Sequence, residues 1–286
     1  MHTRRFVVAA VIAVISAACA RPAAAQQRPL ITEDPESIGA GRVLVEGGLD
    51  YSHAQTYRVS GLEGNLWRVP TIGVSFGISS IAELQIDGGF YNRLTITHRD
   101  ATAPLASALT ITGNTTHDVE DIVIGTKIRL VSEAAGRPAL GVRFATKLPN
   151  ASNESGLGTD TTDFYMSMLG AKTVQSIRVV GNFGFAILAD PTQGDRQNDV
   201  VTYGLSFARA VTQRSEFVGE LNGRKSTRSG DAFPGTESRA LLKIGTRYTR
   251  GSLRLDGGVF VGMTSNDPTV GVTTGFTYVF NAFTLP

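Results

Sequence analysis

The sequence predicts a single closed antiparallel transmembrane β-barrel of the outer-membrane type, with about 12 strands, over residues 42–283. Three observations predict it. Apolar residues recur with period two in segments of about ten residues, and helical periodicity is nearly absent after residue 40. The connections alternate between long polar ones and short tight ones. Finally, charged side chains sit at strand centres on one face, while the other face carries almost no charge in its central band.

Each strand follows from its own alternation. Residues 42–51 set Val43, Val45, Leu49 and Tyr51 on one face, and residues 66–78 do the same with Ile72, Val74 and Phe76. Arg68 and Pro70 interrupt that second pattern and predict a bulge near the outer rim. In residues 82–93, Leu84, Ile86 and Phe90 oppose Glu83, Gln85 and Asp87; in 119–130, Ile122, Ile124, Ile128 and Leu130 oppose Asp121, Lys127 and Arg129. Leu140, Val142, Phe144 and Leu148 stand against Arg143 and Lys147. Residues 163–172 are ambiguous, because Phe164, Met166 and Met168 compete with Tyr165 and Leu169 for the apolar face. The series continues with Val179, Phe183, Phe185 and Ile187, then Val201, Tyr203, Leu205 and Phe207, then Phe217 with Leu221. Ala240, Leu242 and Ile244 oppose Arg239, Lys243 and Arg247, and Leu253, Leu255, Val259 and Val261 oppose Arg254 and Asp256. Val270, Val272, Phe276, Tyr278 and Phe280 form the last face.

The long connections are placed at 53–65, 93–118, 149–162, 189–199, 225–236 and 264–269, the short ones at 79–81, 131–137, 173–176, 211–214 and 249–252. This puts both termini on the side of the tight turns, the periplasmic side of such a barrel. A soluble sandwich also alternates, but its core would not bury Lys and Arg unpaired at strand centres.

Composition agrees once the leader is removed. The 286 residues hold 27 Lys+Arg, 25 Asp+Glu and one Cys, with 42% hydrophobic residues, so disorder is excluded. Arg4 and Arg5, the apolar run Phe6–Ala18 and Ala23-Ala24-Ala25 read as a signal peptide over residues 1–25. Cys19 raises a lipoprotein alternative, against which Ser16 stands where an aliphatic residue is wanted. Cleavage removes three arginines and no acid, which turns a net charge of +2 into −1, and it takes the cysteine too. That excludes a disulfide framework and argues against a nucleic-acid partner. No later run approaches the ~20 apolar residues of a spanning helix.

The stretch VEDIVIGTKIRLVSEAAGRPALGVRFATKLPNAS, followed by GLGTDTTDF, resembles a family of Gram-negative outer-membrane transporters assigned to the MetA pathway of phenol degradation. The likeness rests on Lys147, Leu148 and Pro149, on Gly156, Gly158 and Asp163, and on FVGELNG (Phe217 to Gly223), and it spans roughly residues 40–283. It implies a barrel that passes aromatic or other small hydrophobic compounds, and it carries no catalytic residues across. The last strand, 271–283, looks like the signal by which the barrel-assembly machinery accepts its clients, although Thr284-Leu285-Pro286 follow Phe283.

At ~40° tilt and ~4.8 Å strand spacing, twelve strands enclose a backbone radius of roughly 12 Å, room for small solutes. The expected pore lining is Glu83, Asp87, Lys127, Arg129, Arg143, Lys147, Glu216, Glu220, Arg239, Lys243, Arg247 and Arg254. Sketched register places Glu83 near Lys127 and Arg129, and Glu216 and Glu220 near Lys243 and Arg239. Arg143 and Lys147 are expected to meet no acid on 163–172, and Arg247 and Arg254 to face each other with only Asp256 close. Those four would then draw anionic solutes, or else be hydrated wall charges without selectivity. For residues 26–41 two readings stand: a small plug held by Glu33, Asp34 and Glu36, or a loose periplasmic tail, which their polarity favours.

An enzyme is not expected, nor any cofactor. His53, His98 and His117 fall in expected outer loops, and the His98–Asp100 and His117–Asp118 neighbours are explained by loop polarity. Asp190, Asp195 and Asp199 suggest Ca²⁺ only weakly, since they are ordinary turn formers. Two function classes follow: a channel for small solutes, or a structural barrel with a plugged lumen whose outer loops bind a partner. The expected surroundings are outer-membrane lipid and lipopolysaccharide.

Overall fold

A computed structural model describes residues 28–284; residues 1–27, among them the expected leader 1–25, and the last two residues lie outside them. Fourteen strand segments follow in order: β1 (Arg42–Tyr57), β2 (Leu62–Gly77), β3 (Ala82–Gly89), β4 (Asn92–Arg99), β5 (Thr115–Asp118), β6 (Ile122–Val131), β7 (Ala139–Leu148), β8 (Asp163–Val174), β9 (Ile177–Ala189), β10 (Gln197–Ala210), β11 (Ser215–Ser226), β12 (Arg239–Arg250), β13 (Leu253–Gly262) and β14 (Val270–Asn281). They make twelve staves of a closed antiparallel barrel. β2 pairs with β3 through residues 71–77 and with β4 through residues 62–68, so β3 and β4 are one stave broken at Phe90–Tyr91. β5 and β6 likewise form the next stave, broken around Val119–Asp121. The last strand closes the barrel on the first, from Arg42↔Asn281 to His53↔Val270.

The predicted bulge is real and extends further than the sequence suggested. On β2, Arg68 and Thr71 both oppose inward-facing residues of β1, Asp50 and Gly48, so β2 holds one residue more than β1 across this step. Val69 and Pro70 are the extra turn of chain, and Pro70 has no N–H to give the ladder. The neighbouring staves break at the same level. The offset therefore runs across three staves in the body of the wall rather than at its rim.

Two expected long loops are largely strand. Residues 53–65 collapse to a turn at 58–61, because β1 and β2 run on past the apolar band. The two ends of 93–118 are β4 and β5, joined by residues 100–114 with a short 3-10 turn at Ala106–Ala108. His53, His98 and His117 consequently sit on strands, not in loops. The polar composition that suggested loops belongs to strands with no uncharged band to cover.

Alternation settles the face of every stave. On β8, Met168 is 65% exposed on the outside and Leu169 only 2% exposed within, which resolves the ambiguity in that strand. Phe183, Leu205, Leu221, Ile244, Val259 and Phe276 continue an exposed outer band. Phe183, near the middle of β9, is a direct test of what that band faces. Phe183→Arg is expected to destabilise the folded barrel by about 2–4 kcal/mol in lipid. Unfolding titrations in vesicles would check this, and a cost near zero would mean the band faces water.

A candidate solute lumen

The twelve charged residues expected to line the pore lie on the inner face, together with a strap of chain for which the sequence favoured a loose tail over a plug. Residues 28–41 do not hang free. They enter at the end of the barrel where the tight turns lie, where Gly41 N–H bonds Gly77 O and Ala282 N–H bonds Gly41 O. From there the strap follows the inner wall. Ile38 N–H donates to Glu83 Oε2 at 2.8 Å, and Glu36 pairs with Arg129. Asp34 meets Arg178 of β9, and Asn182, four residues further along that strand, clamps Glu33 through both its backbone N–H (2.6 Å) and its C=O (2.7 Å). Ile31 and Thr32 N–H groups donate to Glu220 at 2.6 and 3.1 Å. Lys243 Nζ and Arg247 Nε each donate at 2.7 Å to the carbonyls of Pro29 and Arg28. Arg28 ends the lap against Thr71, Thr273 and Asp256.

Several pairings differ from the register sketched from the turns. Glu83 does meet Lys127, at 3.0 Å, but Arg129 turns to Glu36 instead. Glu33 joins that buried group, 3.4 Å from Lys127 and 3.1 Å from Arg143. Arg143 also bonds Gln85 at 2.7 Å and lies 3.7 Å from Asp87. Lys147 is not short of acids: it stands directly opposite Asp163, 2.8 Å away, with Asp121 at 3.5 Å. Fourteen residues of loop separate Lys147 from β8, so the strand pairing could not be counted from a turn. Arg247 and Arg254 share Glu216, each at 3.8 Å, beyond the expected Asp256. Arg239 lies opposite Arg224, while Glu220 lies opposite Lys243 and Glu216 opposite Arg247. The four cations assigned to anion attraction are thus balanced by carboxylates.

Arg28, Glu46, Asp50, Arg178, Asn182 and Arg224 are inner-face groups that the sequence reading passed over. Glu46 and Asp50 alternate with Leu44 and Gly48 on β1 and carried the signal, a charged face opposite Val45 and Leu49.

The strap divides the interior. Above it, toward the long loops, lies a cavity of about 750 Å³ with Ile31 and Thr32 in its floor. Its wall mixes charge, in Arg68, Lys147, Arg224 and Arg239, with Leu66, Tyr165, Leu241 and Phe260. Below the strap a smaller space of about 280 Å³ is bounded by Asp34, Arg178, Glu216, Arg247 and Arg254. Over the upper cavity, Leu62, Leu66, Leu94 and Ile96 cluster with Leu109, Ile111 and Leu157 and draw the loops together. Gly156 sits at φ +76° under this cluster, where a Cβ would strike Leu62.

Among the described residues no three His, Cys, Asp or Glu side chains gather as a metal site. Asp190 is engaged otherwise. Burial pushes its carboxyl up, but hydrogen bonds from Thr192 and the Arg196 guanidinium outweigh this and hold it below the usual carboxylate range.

No family model matches the chain, and no curated protein does. Solved structures do. The COG4313 outer membrane channel from Pseudomonas putida F1 superposes with a TM-score of 0.61 at 13% identity, covering 86% of this chain and 98% of that one. The NanC porin gives 0.51 at 8% identity, over 85% and 100% of the two chains. The translocator domain of the autotransporter NalP from Neisseria meningitidis gives 0.50 at 13%, over 85% and 89%. At these identities the likeness establishes the fold: an all-β, closed antiparallel barrel of the outer-membrane type.

Proposed function

We propose that the chain is an outer-membrane channel for small solutes, exported by its N-terminal leader, with termini and tight turns in the periplasm. One observation carries this reading: a polar, charge-lined lumen inside a barrel whose outer face is an uncharged apolar band. The fold it shares with an outer membrane channel supports it as well. Passage is passive, by diffusion, and the strap of residues 28–41 narrows the path at mid-barrel. The resemblance to transporters of phenol degradation favours small aromatic solutes. The amphipathic upper cavity is compatible with that class, because apolar side chains and cations share one wall.

Planar bilayers test the proposal. Folded protein should give discrete conductance steps. Silent bilayers from protein shown to be folded and inserted would replace this reading with the structural barrel whose loops bind a partner.

A further inference from the structure

Cations are not evenly matched around the upper cavity. Around β1, β2, β7 and β8, Arg68 holds Asp50 and Glu120, and Lys147 holds Asp121 and Asp163. On the same cavity Arg224 of β11 and Arg239 of β12 are direct cross-strand partners. Among the described residues, neither has a carboxylate within 4 Å. Like charges in that position repel unless something negative lies between them.

Arg224 is held from behind: its Nε donates to Glu237 O at 2.9 Å and one terminal nitrogen to Gly235 O at 2.8 Å. Arg239 reaches Thr56 O at 3.4 Å, and its Nε is buried with no partner. Glu237, two residues before Arg239, turns Oε1 to the Gly235 N–H, and its Oε2 is buried with no hydrogen-bond partner. Asp267, also on the cavity wall, accepts from Ala240 and Thr264 instead. Two positioned guanidinium groups therefore face a cavity of about 750 Å³, a size suited to a small molecule. Beside them stand Tyr165, Leu241 and Phe260, apolar surface on the same cavity.

We infer that Arg224 and Arg239 form a binding subsite for a small organic monocarboxylate with an apolar or aromatic body, whose carboxylate bridges the two guanidinium groups. A planar carboxylate suits guanidinium donors, and its charge relieves the repulsion between them. The inference deepens the channel reading and rests on it for its meaning: the subsite would be the first station for a solute entering from the loop side.

Binding can be measured apart from transport, on the folded full chain in nonionic detergent. The probe is 4-fluorobenzoate, followed by fluorine NMR, with neutral 4-fluorobenzyl alcohol as the comparison. The acid should bind the parent, and the Arg224→Gln/Arg239→Gln variant should bind it at least about tenfold more weakly, as expected for charge-assisted bidentate contacts. The alcohol should bind weakly and equally to both. Arg239→Lys should fall between them, and the single glutamine variants replace the double one if it does not fold. No acid binding, equal binding of acid and alcohol, or undiminished binding to every variant would overturn the subsite. Equal competition by inorganic phosphate would also overturn it, since the apolar body would then count for nothing. Conductance reports separately. Silent bilayers with variant-sensitive binding would sink the channel and leave the site, and steps without such binding would do the reverse.

Discussion

Deleting residues 28–38 is expected to raise the unit conductance at least roughly threefold, because the strap lies across the lumen between its two cavities. It should also change selectivity. Glu33, Asp34 and Glu36 balance Lys127, Arg143, Arg178 and Arg129, and deletion leaves those four cations with three acids of the wall, Glu83, Asp87 and Glu133. Reversal potentials should therefore move toward anions. Anion attraction by Arg143 would thus emerge only when the strap leaves. A complementary variant holds the strap in place. A Cβ on Gly204 would stand 3.5 Å from Thr32 Cβ, within the span of a disulfide. Thr32→Cys with Gly204→Cys should, when oxidised, show the parent's lowest conductance without larger openings, and reduction should restore them. Identical conductance and reversal potential in parent and deletion variant would refute a closing role for the strap.

What was legible in the sequence divides along a physical line. Faces could be read wherever lipid-like surroundings demand apolar residues on alternate positions, as at Phe183, Leu205 and Val259. Beyond that band both faces are polar, so β1 and β2 past Tyr51, and β4 and β5, resembled loops. Pairings across tight turns could be counted, as for Arg247 with Asp256 across the turn between β12 and β13. Pairings across long loops could not, as for Lys147 with Asp163. The strap had no pattern to read: Glu33 and Asp34 have partners only because the barrel brings β6, β7 and β9 together around them.

The largest stability effect is expected at Lys127. Lys127 and Glu83 are each 1% exposed and 3.0 Å apart, with Glu33 the third member of the group. Charges removed this completely from water are tolerated through one another, so removing one leaves the others uncompensated. Lys127→Met leaves buried Glu83 without its cation and Glu33 with Arg143, at a cost of about 3–5 kcal/mol. Glu83 keeps its bond from Ile38 N–H, which is too little to replace an ion pair. Adding Glu83→Gln should recover much of the loss, since the amide still accepts from Ile38 and leaves a single acid, Glu33, beside Arg143. Recovery in the double variant separates electrostatic coupling from simple loss of packing, because Met and Lys fill similar volume. Urea titrations of the folded barrel, read by its gel mobility before heating, would measure all three. If Lys127→Met proves as stable as the parent, or if Glu83→Gln adds its own full cost instead of restoring stability, the group is not the coupled ionic core described here.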